Sequence, residues 1–326
     1  MVKNILVTGG AGYIGSHVCE VLTKHKKNVF IVDDLSTGFK KLINKNCTFF
    51  NCNILDKKKI KKIIYNNNID SIIHLAAALS VGESQKKPKK YLKINVKGTK
   101  NILDAIRGSK IKNIIFSSTC AVYRDGLSKV NEKSELKPKS IYGKTKLKGE
   151  KLIRSFCKKN KLNYGILRFF NVAGASLGGK IGQISRGDQL FKNLSVEINK
   201  KKPNFKIYGN NYKTPDGTCV RDYIHVSDIA DIHLKTLMKL GKLNKSVILN
   251  CGYSKGVSVK EVVNEFKKYS KKKIILKFLS KRKGDMERIT ANTAKLKKFL
   301  NWRPKYNNLK LIVKSCINWE KQIKQN

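Results

Sequence analysis

Two residues in the middle of the chain have side chains that could do chemistry together. In Ser140-Ile141-Tyr142-Gly143-Lys144-Thr145-Lys146, Tyr142 and Lys146 stand at i and i+4, a spacing that puts them on one face of a helix. A phenol with a pKa of about 10 is a poor base at neutral pH. A neighbouring ammonium stabilises the phenolate and lowers that value, so the pair could take a proton from a hydroxyl group and return it. A lysine-rich chain produces this spacing by chance, so the position of the pair matters. Just upstream, Phe116-Ser117-Ser118-Thr119-Cys120-Ala121-Val122-Tyr123 ends an apolar run in a cluster of hydroxyls. Thr119 there could hydrogen-bond a reacting hydroxyl, while Ser117 and Ser118 could equally be backbone caps at a strand end.

A second constellation supplies a reason for such a base. Ile5-Leu6-Val7-Thr8-Gly9-Gly10-Ala11-Gly12-Tyr13-Ile14-Gly15 reads as strand, glycine turn and helix start, with Gly9, Gly12 and Gly15 in GxxGxxG spacing. Gly9 permits the tight turn, Gly12 lets backbone approach a pyrophosphate, and Gly15 lets the helix lie close on the sheet. The pyrophosphate would rest on free N–H groups at the positive helix end. Asp33, with Asp34 beside it, ends the next strand at the distance where a carboxylate accepts a ribose 2′-OH and repels a 2′-phosphate. The pattern points to NAD rather than NADP. The positive nicotinamide ring would then be a second cation beside Tyr142, and Lys146 would also hold the nicotinamide ribose.

These residues need a sheet to place them. Candidate strands are Asn4–Val7, Val29–Val32, Thr48–Phe50, Ser71–Leu75, Asn113–Ser117 and Tyr164–Phe169, separated by amphipathic stretches such as Tyr13, Ile14, His17, Val18, Val21 and Leu22. Strand–helix alternation predicts an α/β fold, a doubly wound parallel sheet of the Rossmann type covered on both sides. After Asn171 the pattern becomes irregular and glycine-rich. A short strand at Ile207-Tyr208-Gly209 follows, then a helix over Asp222–Leu240 and a strand over Val247–Asn250 that rejoin the main sheet. A helix at Val259–Tyr269, a strand near Ile274–Phe278 and a last helix with Leu309, Ile312, Val313, Cys316 and Ile317 as its buried stripe complete a smaller C-terminal α/β unit. The expected division is 1–171 with 219–250 for the nucleotide, and 172–218 with 251–326 for the second substrate.

Composition excludes several classes. No apolar stretch approaches the roughly 18 residues of a spanning helix, and the start of the chain lacks a signal pattern. The expectation is a soluble, cytoplasmic protein without membrane contact. Eight scattered cysteines form no CxxC and no metal spacing with histidine. The net charge of +48 is almost all lysine, spread along the chain. Solvated lysine faces explain it without a specific nucleic-acid partner, since arginine, the preferred reader of phosphates and bases, is scarce.

Taken together, TGGAGYIG, YxxxK and the hydroxyl cluster resemble the extended short-chain dehydrogenase/reductase superfamily. Within it, the chain is similar to the UDP-glucose 4-epimerase family through Val81-Gly82-Glu83-Ser84, Asn95-Val96-Lys97-Gly98-Thr99, Arg168-Phe169-Phe170-Asn171-Val172-Ala173-Gly174-Ala175, the run from Thr214 to Val226, and Arg282-Lys283-Gly284-Asp285. The resemblance implies that Tyr142 removes the proton of the sugar O4, that hydride passes from C4 to NAD, and that it returns to the opposite face after the 4-keto sugar has turned over. It implies catalytic roles for Tyr142, Lys146 and Thr119. It implies cofactor contacts from Gly9, Gly12, Tyr13, Ile14, Gly15, Asp33, Asn53, Ile54 and Asn95 as well as the Tyr142–Lys146 pair. Toward the UDP-sugar it implies Thr119, Asn171, Gln189 and Leu190, with Arg221 and Arg282 as cations for the diphosphate. Alternatively, Arg221 could pair with Asp222 or another carboxylate. Relatives commonly form homodimers through helices equivalent to 88–107 and 140–158.

The sequence departs from the family pattern at several positions. Thr119 stands for a frequent serine, Arg124 for a glycine, Leu79 for a lysine, Asn53 for an aspartate and Gln189 for asparagine or histidine. A 4,6-dehydratase would need an acid pair after the threonine, where Cys120-Ala121 stand. UDP-glucuronate, UDP-N-acetylglucosamine and a non-catalytic NAD- or RNA-binding role are the alternatives. Ile289, aligned with a position that limits acetamido space in relatives, does not decide between the sugars. His74 and His225 are read as hydrogen-bonded structural histidines.

Overall fold

A computed structural model describes residues 2–185, 187, 189–282 and 285–325. The first half of the chain runs β1 (Asn4–Thr8), α1 (Tyr13–Lys24), β2 (Asn28–Asp33), β3 (Thr48–Asn51), α2 (Lys57–Asn66), β4 (Ser71–His74), α3 (Val81–Lys86), α4 (Pro88–Tyr91), a π-helical stretch (Leu92–Lys97), α5 (Gly98–Ala105), β5 (Asn113–Thr119), β6 (Lys129–Val130) and α6 (Ile141–Lys159). Then follow β7 (Asn163–Phe169), β8 (Asn171–Ala173), α7 (Leu190–Glu197), β9 (Asn204–Tyr208), β10 (Val220–Arg221), β11 (Tyr223–His225), α8 (Val226–Leu243) and β12 (Val247–Cys251). The last elements are β13 (Val257–Ser258), α9 (Val259–Lys267), β14 (Ile275–Leu279), β15 (Arg288–Ala291), α10 (Ala294–Leu300) and α11 (Leu309–Gln325).

Seven strands form the main sheet in the order β12-β7-β5-β4-β1-β2-β3, and every pairing is parallel. This is the doubly wound arrangement expected, with its order reversing between β1 and β4, where such sheets bind ligands at their carboxyl edge. Strand residues are apolar on both faces because both are covered. Ile5, Val7, Ile31, Ile73 and Ile115 face one core with α1 and α8, while Leu6, Val32, Ile72, Ile114 and Phe116 face the other with α2, α5 and α6. Helix α2 shows where the lysines go: Ile60, Ile63 and Ile64 are buried, and the lysines between them point to solvent.

The remaining strands form smaller sheets, β13-β10-β15-β6, β11-β8 and β14-β9. The segment after Asn171, expected to be irregular, contains α7 as well as β8. The helix expected from Asp222 starts at Val226, because Tyr223–His225 pair with Asn171–Ala173 first. His225 then caps the helix, its Nδ1 accepting the Ser227 N–H at 3.1 Å. The last helix buries Ile312, Val313, Cys316 and Ile317 as expected. No helix among the described residues is long and apolar enough to cross a membrane.

Candidate active site

The glycine turn joins β1 to α1 under tight constraints. Gly9 has φ +75°, and its N–H donates to the Val32 carbonyl at 2.8 Å. A Cβ on Gly15 would stand 2.1 Å from the Gly9 oxygen, so the helix reaches the turn only because Gly15 has no side chain. Gly12 is the N-cap, with no side-chain cap and no acid in the first turn, which leaves the positive helix end for an anion. Asp33 is buried at the end of β2 and accepts the N–H groups of Ala11 (3.0 Å) and Leu35 (2.9 Å). Burial pushes its carboxyl up, against the lowering effect of those two bonds. Asp34 takes the Asn53 amide at 2.6 Å, while the Asn53 oxygen accepts the Leu55 N–H at 2.8 Å. Ile54 fills the space beside Gly98 in the core. A helix end free of capping groups, a turn that admits no Cβ and a carboxylate at the next strand end together fit a dinucleotide.

The carboxyl end of β5 faces the start of α6. Ser140 caps α6 by accepting the Gly143 N–H at 3.0 Å, and Ser84 accepts the Tyr142 N–H at 3.1 Å. Two otherwise unpaired donors of the first turn are thus satisfied, which fixes where Tyr142 points. Thr119 lies close enough to the Tyr142 hydroxyl to act to lower its pKa. Thr119 ends β5, and its Oγ1 accepts the Ala121 N–H at 3.2 Å. Lys146 is 3 % exposed, and its ammonium lies 4.4 Å from the centre of the Phe116 ring. Tyr142 and Lys146 thus stand one helical turn apart on α6, beside the end of β5 that carries Phe116 and Thr119.

Burial pushes the Tyr142 phenol up to about 12, although Thr119 acts to lower it. Burial brings Lys146 down to about 7, against the pull of Glu150. Both groups lie in a low-dielectric pocket that favours their neutral forms. A positive nicotinamide ring beside the phenol, expected together with the ammonium, would act to lower it.

Around this centre, hydrogen bonds account for several residues. Asn95 sits in the π-helical stretch, a distortion frequent at functional sites. Its oxygen accepts the Ala78 N–H (2.8 Å), and its amide donates to the Ala78 carbonyl (3.1 Å) and to Thr145 Oγ1 (3.1 Å). It thus ties the loop after β4 to α6. His74 lies between Thr8 (2.7 Å) and Thr99 (3.0 Å), and burial brings it down to about 3, so it stays neutral. Arg124 pairs with Glu135 at 3.2 Å on the surface, and Leu79 is exposed. Tyr13 donates to the Gly174 carbonyl at 2.6 Å, and Ile14 packs into the core. Ser117 and Ser118 are not alike, because Ser118 donates to Glu150 at 2.5 Å. Residue reasoning passed over Glu150, although it follows Lys146 by the same four positions that single out Tyr142.

On the far side, the Arg221 guanidinium donates to the carbonyls of Val220 (3.0 Å) and Glu287 (3.3 Å). It does not pair with Asp222, whose buried carboxylate accepts three backbone N–H groups, from Tyr253, Ser254 and Ala291. Arg282 stacks 3.8 Å from the centre of the Tyr208 ring, beside a cleft of about 500 Å³ lined by Gly209, Asn210, Asn211, Phe278 and Lys281. Lys283 and Gly284 of the closing motif lie outside the described residues. Asn171 is half-buried on β8, and its N–H donates to the Asp222 carbonyl at 2.9 Å. Gln189 precedes α7 and Leu190 begins it. Phe191, next in line, meets Tyr223 of β11 with ring centres 5.0 Å apart. Among the described residues no cluster of histidine, cysteine and acids could hold a metal.

Comparison with known proteins agrees with this geometry. Residues 5–252 match the NAD dependent epimerase/dehydratase family. The chain is 36 % identical over 323 residues to a UDP-glucose 4-epimerase of Azospirillum brasilense, covering 98 % of this chain and 93 % of that one. It is also 36 % identical over 335 residues to UDP-arabinose 4-epimerase 1 of Arabidopsis thaliana, covering 98 % and 80 %. A crystal structure of UDP-glucose-4-epimerase from Stenotrophomonas maltophila with bound NAD and formylated UDP-arabinopyranose superposes with a TM-score of 0.94 at 30 % identity, covering 99 % of each chain. With this fold, this glycine turn and these full-length relatives, the chain belongs to the NAD dependent epimerase/dehydratase family, alongside the UDP-glucose 4-epimerases.

Proposed function

We propose that the chain is an NAD-dependent 4-epimerase interconverting UDP-glucose and UDP-galactose. The observation that carries this reading is Tyr142 beside Thr119 at the carboxyl end of β5, on the helix that also holds buried Lys146. Gly9, Gly12, Gly15 and Asp33 would hold NAD, which would supply a reversible two-electron acceptor for C4 and a positive ring that favours the phenolate. Tyr142 takes the proton from O4 as the C4 oxygen becomes a carbonyl, and gives it back when C4 is reduced from the other face. Thr119 holds O4 and the phenol oxygen together. Lys146 offsets the negative charge on Tyr142. Asn171, Gln189, Leu190, Arg221 and Arg282 grip the UDP, leaving the hexose free to turn, because a hexose held as tightly as the nucleotide could not present both faces.

On this reading residues 1–171 with 219–250 form the NAD half and 172–218 with 251–326 the UDP-sugar half. The chain is read as a homodimer through its 88–107 and 140–158 segments, where Leu92 is an exposed apolar residue. All eight cysteines are free, which suits a reducing compartment, and we place the protein in the cytoplasm.

The 36 % identity to an enzyme named for UDP-arabinose supports a second sugar as substrate. Incubation with UDP-galactose, UDP-N-acetylglucosamine, UDP-glucuronate and UDP-arabinose, with product identification, separates these readings. UDP-galactose is expected to have the highest kcat/KM. Turnover confined to another sugar moves the assignment to that sugar, and no turnover of any sugar removes it.

A further inference from the structure

The other buried charges near the site form a chain of contacts that the reaction as described does not use. Glu150, one turn beyond Lys146, is 1 % exposed. It accepts Ser118 Oγ at 2.5 Å and a two-pronged contact from Arg168, Nε at 3.0 Å and Nη2 at 2.7 Å. Arg168 is also 1 % exposed; its Nη1 donates to the Tyr123 hydroxyl at 3.0 Å and to the Glu132 carbonyl at 3.3 Å. Tyr123 donates to Asn250 at 2.6 Å, and Asn250 donates to the Val130 carbonyl of β6 at 3.0 Å. Strand β6 pairs with β15, which pairs in turn with β10 and its Arg221. The contacts therefore cross the carboxyl ends of β5, β7 and β12, joining the helix that carries Tyr142 and Lys146 to the sheet that carries Arg221.

Stability gives little reason for such a pair. A buried ion pair can usually be replaced by apolar residues of the same volume at no loss. Its position is more telling. On β5, Phe116 and Ser118 face α6 together: Lys146 sits over the Phe116 ring and Glu150 takes the Ser118 hydroxyl. Ser118 immediately precedes Thr119, and Glu150 follows Lys146 by one helical turn.

We propose that Glu150, oriented by Arg168, is a positioning residue: it clamps α6 to the end of β5 through Ser118, so that Thr119, Tyr142 and Lys146 keep their mutual geometry, and it supplies the negative charge nearest the Lys146 ammonium. This rests on the catalytic roles given above to those three residues. The groups facing Lys146 agree with it. His74 of β4 is neutral, Phe116 of β5 offers only its ring, Asn95 of the π-helical stretch, bonded to the adjacent Thr145, is uncharged, and Tyr142 on its own helix is protonated in the free protein. Among these described neighbours Glu150 alone is anionic, and it acts to hold the Lys146 proton.

The test uses three variants of the full-length enzyme, assayed with UDP-galactose across pH beside wild type and Tyr142→Phe. Ser118→Ala removes only the clamp and is expected to fold and to lower kcat about tenfold with KM unchanged, since small misplacements of reacting groups cost up to about 100-fold. Glu150→Gln keeps an acceptor for Ser118 but removes the charge. It is expected to lower kcat about 100-fold and to move the high-pH limb of kcat down by about one pH unit, because the attraction of Glu150 that helps hold the Lys146 proton is lost. If Glu150→Gln does not fold, Glu150→Gln with Arg168→Gln removes both charges; loss of kcat with NAD content and KM retained then supports the proposal. Wild-type kcat in Ser118→Ala, or a wild-type pH profile in a folded Glu150 variant, overturns it. An inactive wild type, or an active Tyr142→Phe, would instead remove the functional reading on which it rests.

Discussion

Tyr142 and Lys146 are displaced toward their neutral forms by one cause, removal from water. Catalysis asks for the charged forms, so the site carries an electrostatic cost that ligands would offset. Tyr142→Phe removes the proton acceptor and should lower turnover by about a hundred- to ten-thousandfold, with an unchanged far-ultraviolet circular dichroism spectrum. Lys146→Met tests the cost itself. The lysine falls to about 7 in the fold from its ordinary value of 10.5, so between those values the unfolded chain binds more protons and stability rises with pH. At pH 6 the full cost is present. The Met variant, freed of dinucleotide, should be more stable than wild type there by a few kcal/mol, since each tenfold change in proton affinity is worth roughly 1.4 kcal/mol. The gap should narrow toward pH 10 in thermal denaturation. Tyr142, Lys146 and Gly9 were legible because their spacing carries meaning within a single turn of chain. Ser84 and Ser118 were not assigned their present partners, because Tyr142 and Glu150 reach them across 58 and 32 positions.

Helix α1 illustrates how an element places the site. Its first turn lies against the β1 turn only because Gly15 has no Cβ. Gly15→Ala should shift the helix start, cost about 1–3 kcal/mol and weaken NAD retention, seen as lower nucleotide content after purification and a lower thermal midpoint. The strands of the main sheet were legible because each is a run of apolar residues bounded by turns, and the parallel order followed from alternation with helices. Strands β6, β10 and β13 have two residues each, too few to show a period of two, so the small sheet that carries Arg221 was invisible. The π-helical stretch was hidden for a related reason: Leu92–Lys97 has ordinary helical composition, and its widened turn is set by Asn95 gripping Ala78 and Thr145.

At the scale of the molecule, 70 basic residues against 22 acidic ones produce mutual repulsion. If two copies associate through the 88–107 and 140–158 helices, which carry many of those lysines, the dimer should weaken at low salt and strengthen as salt screens the charge. Sedimentation velocity across a salt series would show the shift, and a dimer insensitive to salt would exclude that interface. The reaction itself turns on one hydrogen. In the proposed reaction the O4 proton passes through Tyr142 while the hydrogen on C4 never meets solvent. Conversion of UDP-galactose in D2O should therefore give UDP-glucose with protium at C4, read by proton NMR. Deuterium at C4 would mean that this hydrogen leaves as a proton, which hydride transfer to NAD does not allow.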